Sequence, residues 1–177
     1  SFLVSSVLNA IPATAGSVST SYLVDGSVTQ AKLGTGVAGN GPAFSAYRTT
    51  NQSVSGSTWT KVACQTEEFD TASCYDNSTN YRFTPNVAGY YQITGQILND
   101  VTAYASMALI VALYKNGSAF KYGQDSLAHR AVVSALVYAN GTSDYFELYG
   151  YTTAGTPLFQ QNTPADTFFQ AVMVRSA

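Results

Sequence analysis

The sequence predicts an all-β fold, a sandwich or barrel of short strands, and three observations carry that reading. Tyr and Phe are abundant, at 13 and 9 copies, and aromatic and β-branched residues suit pleated, half-buried surfaces. Short apolar or alternating runs recur between turn signals. No window holds the 3.6-residue periodicity of an amphipathic helix.

The elements follow in order. Residues 1–41 stand apart, because 17–41 is dominated by Gly and small polar residues with isolated Val and Leu. Such a segment cannot bury a core alone and reads as a flexible linker. A head follows over 42–177. Strands are expected at 43–49, where Ala-Phe-Ser-Ala-Tyr alternates, and at 59–64 after Trp59. The next, 81–84, ends at the Pro85-Asn-Val-Ala-Gly89 turn, and 90–98 opens on paired tyrosines. Strands 106–114 and 118–122 flank Asn116-Gly117, a pair that accepts positive φ at both positions of a type I′ hairpin. Asn140-Gly141 repeats the device between 132–138 and 144–151, and 167–175 closes the domain.

At 177 residues the chain holds one domain plus an appendage. A sandwich of this size buries about 70% of its unfolded surface, so its core needs no metal or disulfide scaffold. Charged residues are only 10% and net charge is −2, against a usual charged share of about a quarter. Lys61, Lys115, Lys121, Arg130 and Arg175 are scattered, which argues against a nucleic-acid partner. No apolar run approaches the roughly 18 residues of a membrane span. The opening Ser-Phe-Leu-Val-Ser-Ser-Val-Leu lacks the positive flank of a signal peptide and fits a point where a longer chain was cut.

Few residues invite chemistry. Cys64 and Cys74 are spaced for neither zinc nor redox work. They read as two small apolar residues in or near strands, or else as one disulfide worth about 3 kcal/mol. His129, the sole histidine, has Asp125 four residues before it, but no nucleophile-elbow sequence accompanies them. Glu67, Glu68, Asp70 and Asp76 read as a solvated acidic loop, with a calcium site as the alternative, although no EF-hand spacing is present. Sequons at Asn51, Asn77, Asn116 and Asn140 are expected by chance in so Ser-, Thr- and Asn-rich a chain. Tyr104, Tyr122, Tyr138, Tyr149 and Tyr151 read mostly as core or packing residues, a few of them free for recognition. The reading assigns no catalytic, cofactor-binding or metal residue, and no cofactor.

Residues 81–91 run Tyr-Arg-Phe-Thr-Pro-Asn-Val-Ala-Gly-Tyr-Tyr. This R-F-T-P-x-x-x-G-Y-Y pattern resembles the globular head of complement component 1q and its tumour-necrosis-factor-like relatives. Ala43-Phe-Ser-Ala-Tyr-Arg48 resembles that family's opening strand, and Leu113-Tyr-Lys-Asn-Gly117 its K-N-G hairpin. Phe69-Asp70 with Tyr75-Asp76, the stretch from Leu136 to Leu148, and Thr167-Phe-Phe-Gln-Ala171 resemble further motifs in order, with Ala171 where the family has Gly. The resemblance spans about 42–175. It implies a jelly-roll β-sandwich that is homotrimeric, binds other molecules and has no catalytic site. The collagen stalk of vertebrate members is absent, since no Gly-X-Y repeat exists. Residues 25–33 resemble short segments of phage tail and neck fibres instead.

The first expectation is therefore a homotrimeric virion fibre or tail protein. Residues 1–41 would attach it to other virion proteins, and its head would contact a host glycan or protein receptor or cap the fibre. The alternative is a secreted lectin-like head of a cellular organism, and a hydrolase ranks last. Composition agrees with the trimer. Segments 107–114 and 145–151 are apolar on both faces, and a two-layer sandwich buries only one. Val24, Val28 and Leu33 of the neck would pack against their own copies.

Overall fold

The computed structural model describes residues 28, 32–33, 39–99, 108–126, 129–154, 158–160 and 166–177, without the side chains of 124–126. The chain divides into two units, Ser1–Gly34 and Thr35–Ala177. Most of the expected neck lies outside the described residues, Val24 included. Within it Val28 is exposed and Leu33 half-buried.

The second unit is all β, with no α-helix among the described residues. Its strands are β1 (Ala43–Tyr47), β2 (Gln52–Ser53), β3 (Thr60–Lys61), β4 (Thr66–Asp70), β5 (Tyr75–Asp76), β6 (Arg82–Phe83) and β7 (Gly89–Leu98). They continue as β8 (Leu109–Lys115), β9 (Ser118–Ser126), β10 (Arg130–Ala139), β11 (Phe146–Thr152), β12 (Leu158–Phe159) and β13 (Phe168–Ser176). One sheet runs β10-β7-β13-β1-β4. The other runs β5-β6-β11-β8-β9, with β3 also on β11, and β2 pairs β12 as a small ribbon. The chain crosses repeatedly between the layers, as a jelly roll does. All-β architecture and the sandwich stand as expected.

Period-two alternation builds the core. Tyr91, Ile93 and Ile97 of β7 face Leu109, Val111 and Leu113 of β8 and Phe146 and Leu148 of β11, all buried. Phe44 stacks between Tyr75 and Phe83 at 4.5 and 4.7 Å, with Phe169 edge-on at 5.2 Å. Gly95 lets the layers close, since a Cβ there would lie 2.4 Å from Leu148 Cδ1.

Several strand ends moved. Segment 59–64 keeps ladder pairing only at β3, and 144–151 starts later because the Asp144 carboxylate accepts the Asn140 N–H and the Asn116 side-chain amide. β9 extends to Ser126 and β10 opens at Arg130, whereas 101–107 lie outside the described residues. The stretch expected as an acidic loop is partly strand β4, which pairs β1 around a bulge between Ser45 and Ala46. Asn116-Gly117 forms the expected hairpin, with φ of 53° and 79°. Asn140-Gly141 does not. It joins β10 of one sheet to β11 of the other, and the Asn140 Oδ1 accepts the backbone N–H groups of Thr142, Ser143 and Asp144.

Candidate functional site

Two outward faces of the sandwich are the candidate sites. Alternation along the five-stranded sheet sends Val132, Leu136 and Tyr138 of β10 outward, beside Tyr90 of β7 and Val172 and Val174 of β13. Register lines them up in rows. Leu136, Gln92, Val172 and Ala43 form one; Ser134, Thr94, Gln170, Ser45 and Phe69 form the next. Leu136 is 59% exposed and Phe69 50%. Tyr90 and Tyr138 lean together at 5.6 Å. The central polar members are neutral, since Gln92 Nε2 donates to Ser134 Oγ, which bonds Thr94 Oγ1, while charge lies to either side: Ser45 Oγ donates to Glu68, and Arg175 is exposed beside Tyr90. Arg130, at the foot of β10, is held by Asp166. A recess of about 260 Å³ opens between Phe69, Ala43, Gln92, Gln170 and Val172.

This placement corrects the expectation that 107–114 and 145–151 supply the uncovered apolar surface. Among the described residues their outward side chains are half-buried or buried within the chain. On the six-stranded sheet Glu147 faces outward yet its side chain is 2% exposed. Lys61 Nζ lies 2.6 Å from its carboxylate, and Arg82 approaches at 2.9 Å. Tyr114 and Tyr149 stack at 3.9 Å, the Arg82 guanidinium sits 4.0 Å over the Tyr145 ring, and Trp59 lies across Tyr114, Tyr122 and Tyr151 at 5.5–6.3 Å. Burial pushes the Tyr114 and Tyr149 hydroxyls above the ordinary phenol range, so both remain protonated donors. Sequence alternation showed which side chains share a face but not that the loop carrying Trp59 folds over this one. Glu147 amid apolar neighbours was the available signal for the ionic triad.

The remaining candidates are placed as follows. Cys64 and Cys74 are free, buried thiols, and burial pushes the Cys64 thiol up to about 12, which makes it inert. Asp70 and Asp76 spend their oxygens on backbone: Asp70 accepts from Ala72 and Tyr75, and Asp76 from Ser78, Thr79 and Asn80. The Thr79 and Ser78 N–H groups hold the Asp76 carboxyl well below the usual carboxylate range. Among the described residues no three His, Cys, Asp or Glu converge as a metal-holding group. His129 is half-buried beside β10 and its carbonyl accepts the Asn99 N–H, while the side chain of Asp125 and all of Tyr104 lie outside the described residues. Asn116 and Asn140 of the sequons spend their side chains on Asp144, Tyr145 and Ser143. No helix of the described residues is long and apolar enough to cross a membrane.

No family model matches the chain, and no curated protein matches it either. Solved structures do. Murine APRIL shares 15% identity at a TM-score of 0.54, over 75% of this chain and 98% of that one. The globular domain of zebrafish complement 1qA shares 14% at 0.55, over 77% and 98%. Eiger TNF from S. frugiperda shares 13% at 0.52, over 77% and 92%. The chain thus has the jelly-roll fold of tumour-necrosis-factor and complement-1q heads.

Proposed function

We propose that this chain is a non-enzymatic recognition and structural head that works as a parallel homotrimer. One observation carries the reading: the centre of the outward face of the five-stranded sheet is aliphatic and aromatic with neutral polar groups between, and its charges, Glu68, Arg130 and Arg175, lie around that centre. Contiguous apolar patches above a few hundred Å² are rare on monomers and mark interfaces. Around a threefold axis, that face on each copy would cover its neighbours, and the recess beside Phe69 offers a seat for a neighbour's ring. Obligate interfaces of this kind are large and apolar.

The neck and the free cysteines favour a virion fibre or tail-associated protein. Residues 1–41 attach it to other virion proteins, and the head caps the fibre or contacts a glycan or protein receptor on the host surface. Unbridged buried thiols suit a chain that folds in a reducing compartment. A specific observation favours a second reading, a secreted ligand-binding head of a cellular organism: the similar solved structures are animal heads. The genes beside this one separate the two, since structural virion genes support the first and none supports the second. Light scattering after size exclusion tests the trimer. Three times the 18.8 kDa chain mass is expected, and a monomer mass at micromolar concentration refutes it.

A further inference from the structure

The two ends of the five-stranded sheet's outward face differ in charge. Beside β10, strand β9 carries Phe120 and Lys121 just past the Asn116-Gly117 turn. Phe120 is 43% exposed, and Lys115 Nζ lies 6.0 Å from its ring and 5.9 Å from that of exposed Tyr138. Asp144 neutralises Lys115. Lys121 Nζ sits 5.3 Å over the Phe120 ring, and Arg175 lies beside Tyr90; both are exposed, and neither makes an ion pair with a described residue. At the far end, β4 carries exposed Phe69 and Glu68 with half-buried Glu67, and neither glutamate makes an ion pair with a described residue. Asp70 spends its carboxylate on the backbone of Ala72 and Tyr75.

We infer that Phe120 of one copy seats in the recess beside Phe69 of the next, with Lys121 set against Glu68, an inference that rests on the reading of this chain as a trimer. Level decides which groups can meet, because rotation about a threefold axis along the strands keeps each group at its own height. Gly123 is pressed against β10, where a Cβ would come within 2.3 Å of the Val132 carbonyl oxygen, and the chain reverses between Ser126 and Arg130. Two residues back along β9 and two onward along β10 set Lys121 level with Ser134. The row of Ser134 ends at Ser45 and Phe69, and Ser45 Oγ holds Glu68. Phe120 falls between that row and the row of Leu136. The recess spans the same two rows, lined by Thr94 and Gln170 from one and by Gln92, Val172 and Ala43 from the other. Its volume of about 260 Å³ suits one ring, since an apolar cavity of about 150 Å³ already holds benzene. Charge sets the pairing of ends: like ends opposed would repel, whereas the β9–β10 end of one copy complements the β4 end of the next. Each head thus presents both halves of the contact, and three of them close a ring.

The test uses the full chain. Its mass is followed by light scattering over a dilution series, at the urea concentration that half-dissociates the wild type. Lys121→Glu and Glu68→Lys are each expected to raise the concentration at which the trimer falls apart by about tenfold, since each opposes like charges at three equivalent contacts. Lys121→Glu combined with Glu68→Lys restores opposite signs and should recover most of the loss, which a purely structural role of either residue would not give. Phe120→Ala should weaken the trimer as well, through loss of the seated ring. A trimer that neither reversal weakens, that is no tighter in the double variant than in the weaker single one, or that Phe120→Ala leaves unchanged overturns this contact while leaving the trimeric head standing. A wild-type monomer at micromolar concentration without urea overturns the trimer itself, and this contact with it.

Discussion

Glu147 shows how one side chain organises a face. A carboxylate at an outward position of β11 would ordinarily sit in water, yet two cations and the flanking rings close over it. Removing one partner of a fully buried ion pair costs about 3–5 kcal/mol, because the other charge is stranded. Here Lys61 and Arg82 keep 27% and 28% side-chain exposure, so water rescues them in part. Glu147→Gln is therefore expected to cost roughly 2 kcal/mol, read as a lower midpoint in urea unfolding with an unchanged slope. Asp76 makes a pH prediction. Its folded-state pKa lies below the unfolded value of about 3.9. The stability it contributes is thus complete above that value and fades as pH falls toward the folded one. Asp144 adds the same sign: burial opposes its ionisation, but bonds from Asn116, Lys115 and Asn140 outweigh it. Melting between pH 7 and pH 2 should show a loss below pH 4 that is smaller in Asp76→Asn; an identical acid slope in that variant would refute this role.

At the scale of elements, the two Asn-Gly pairs behave differently although they read alike. Gly117 at φ 79° closes a hairpin, and a Cβ there would meet only the Tyr145 hydroxyl at 3.3 Å. Gly141 at φ 73° is pressed against the 87–88 turn, where a Cβ would come within 2.3 Å of the Ala88 nitrogen. Gly117→Ala should cost about 1 kcal/mol, the price of a left-handed backbone for an L-residue, and Gly141→Ala more, because backbone must also move. Calorimetry checks the order, with about 3 °C of melting temperature per kcal/mol at this size. The first pair was legible in the sequence because a two-residue hairpin is a local object. The second was not, because which sheet receives the next strand is decided by distant pairing. β4 escaped notice for another reason: Thr-Glu-Glu-Phe-Asp offers little apolar alternation, and it becomes strand only because β1 presents an open edge.

For the whole molecule, the layered fold was legible and the location of its open face was not. Alternation showed that strands such as 145–151 are apolar on both sides. Only the three-dimensional path of the Trp59 loop decides that this side is covered from within and that the β10-β7-β13 side is left bare. The same fact sharpens the trimer prediction. Leu136→Glu with Val172→Glu places charge at the middle of the bare face without touching the core, so light scattering after size exclusion should show a mass below that of the trimer. A trimer mass in that double variant would show that assembly uses another surface. Tyr122→Glu on the opposite layer should leave the mass unchanged.

The bulged strand β4 ends the five-stranded sheet, and a strand in that position can recruit stray chains into a growing sheet. Glu67, Glu68 and Asp70 repel such recruits at neutral pH. Glu68 is anchored by the Ser45 hydroxyl at 2.6 Å, and burial together with the neighbouring Asp70 charge raises the Glu67 pKa. Mild acid therefore discharges Glu67 before the carboxylates that the fold holds down, Asp76 and Asp144. The vulnerability of a stored preparation should accordingly be fibrillar precipitation that sets in on mild acidification, before the fold itself melts.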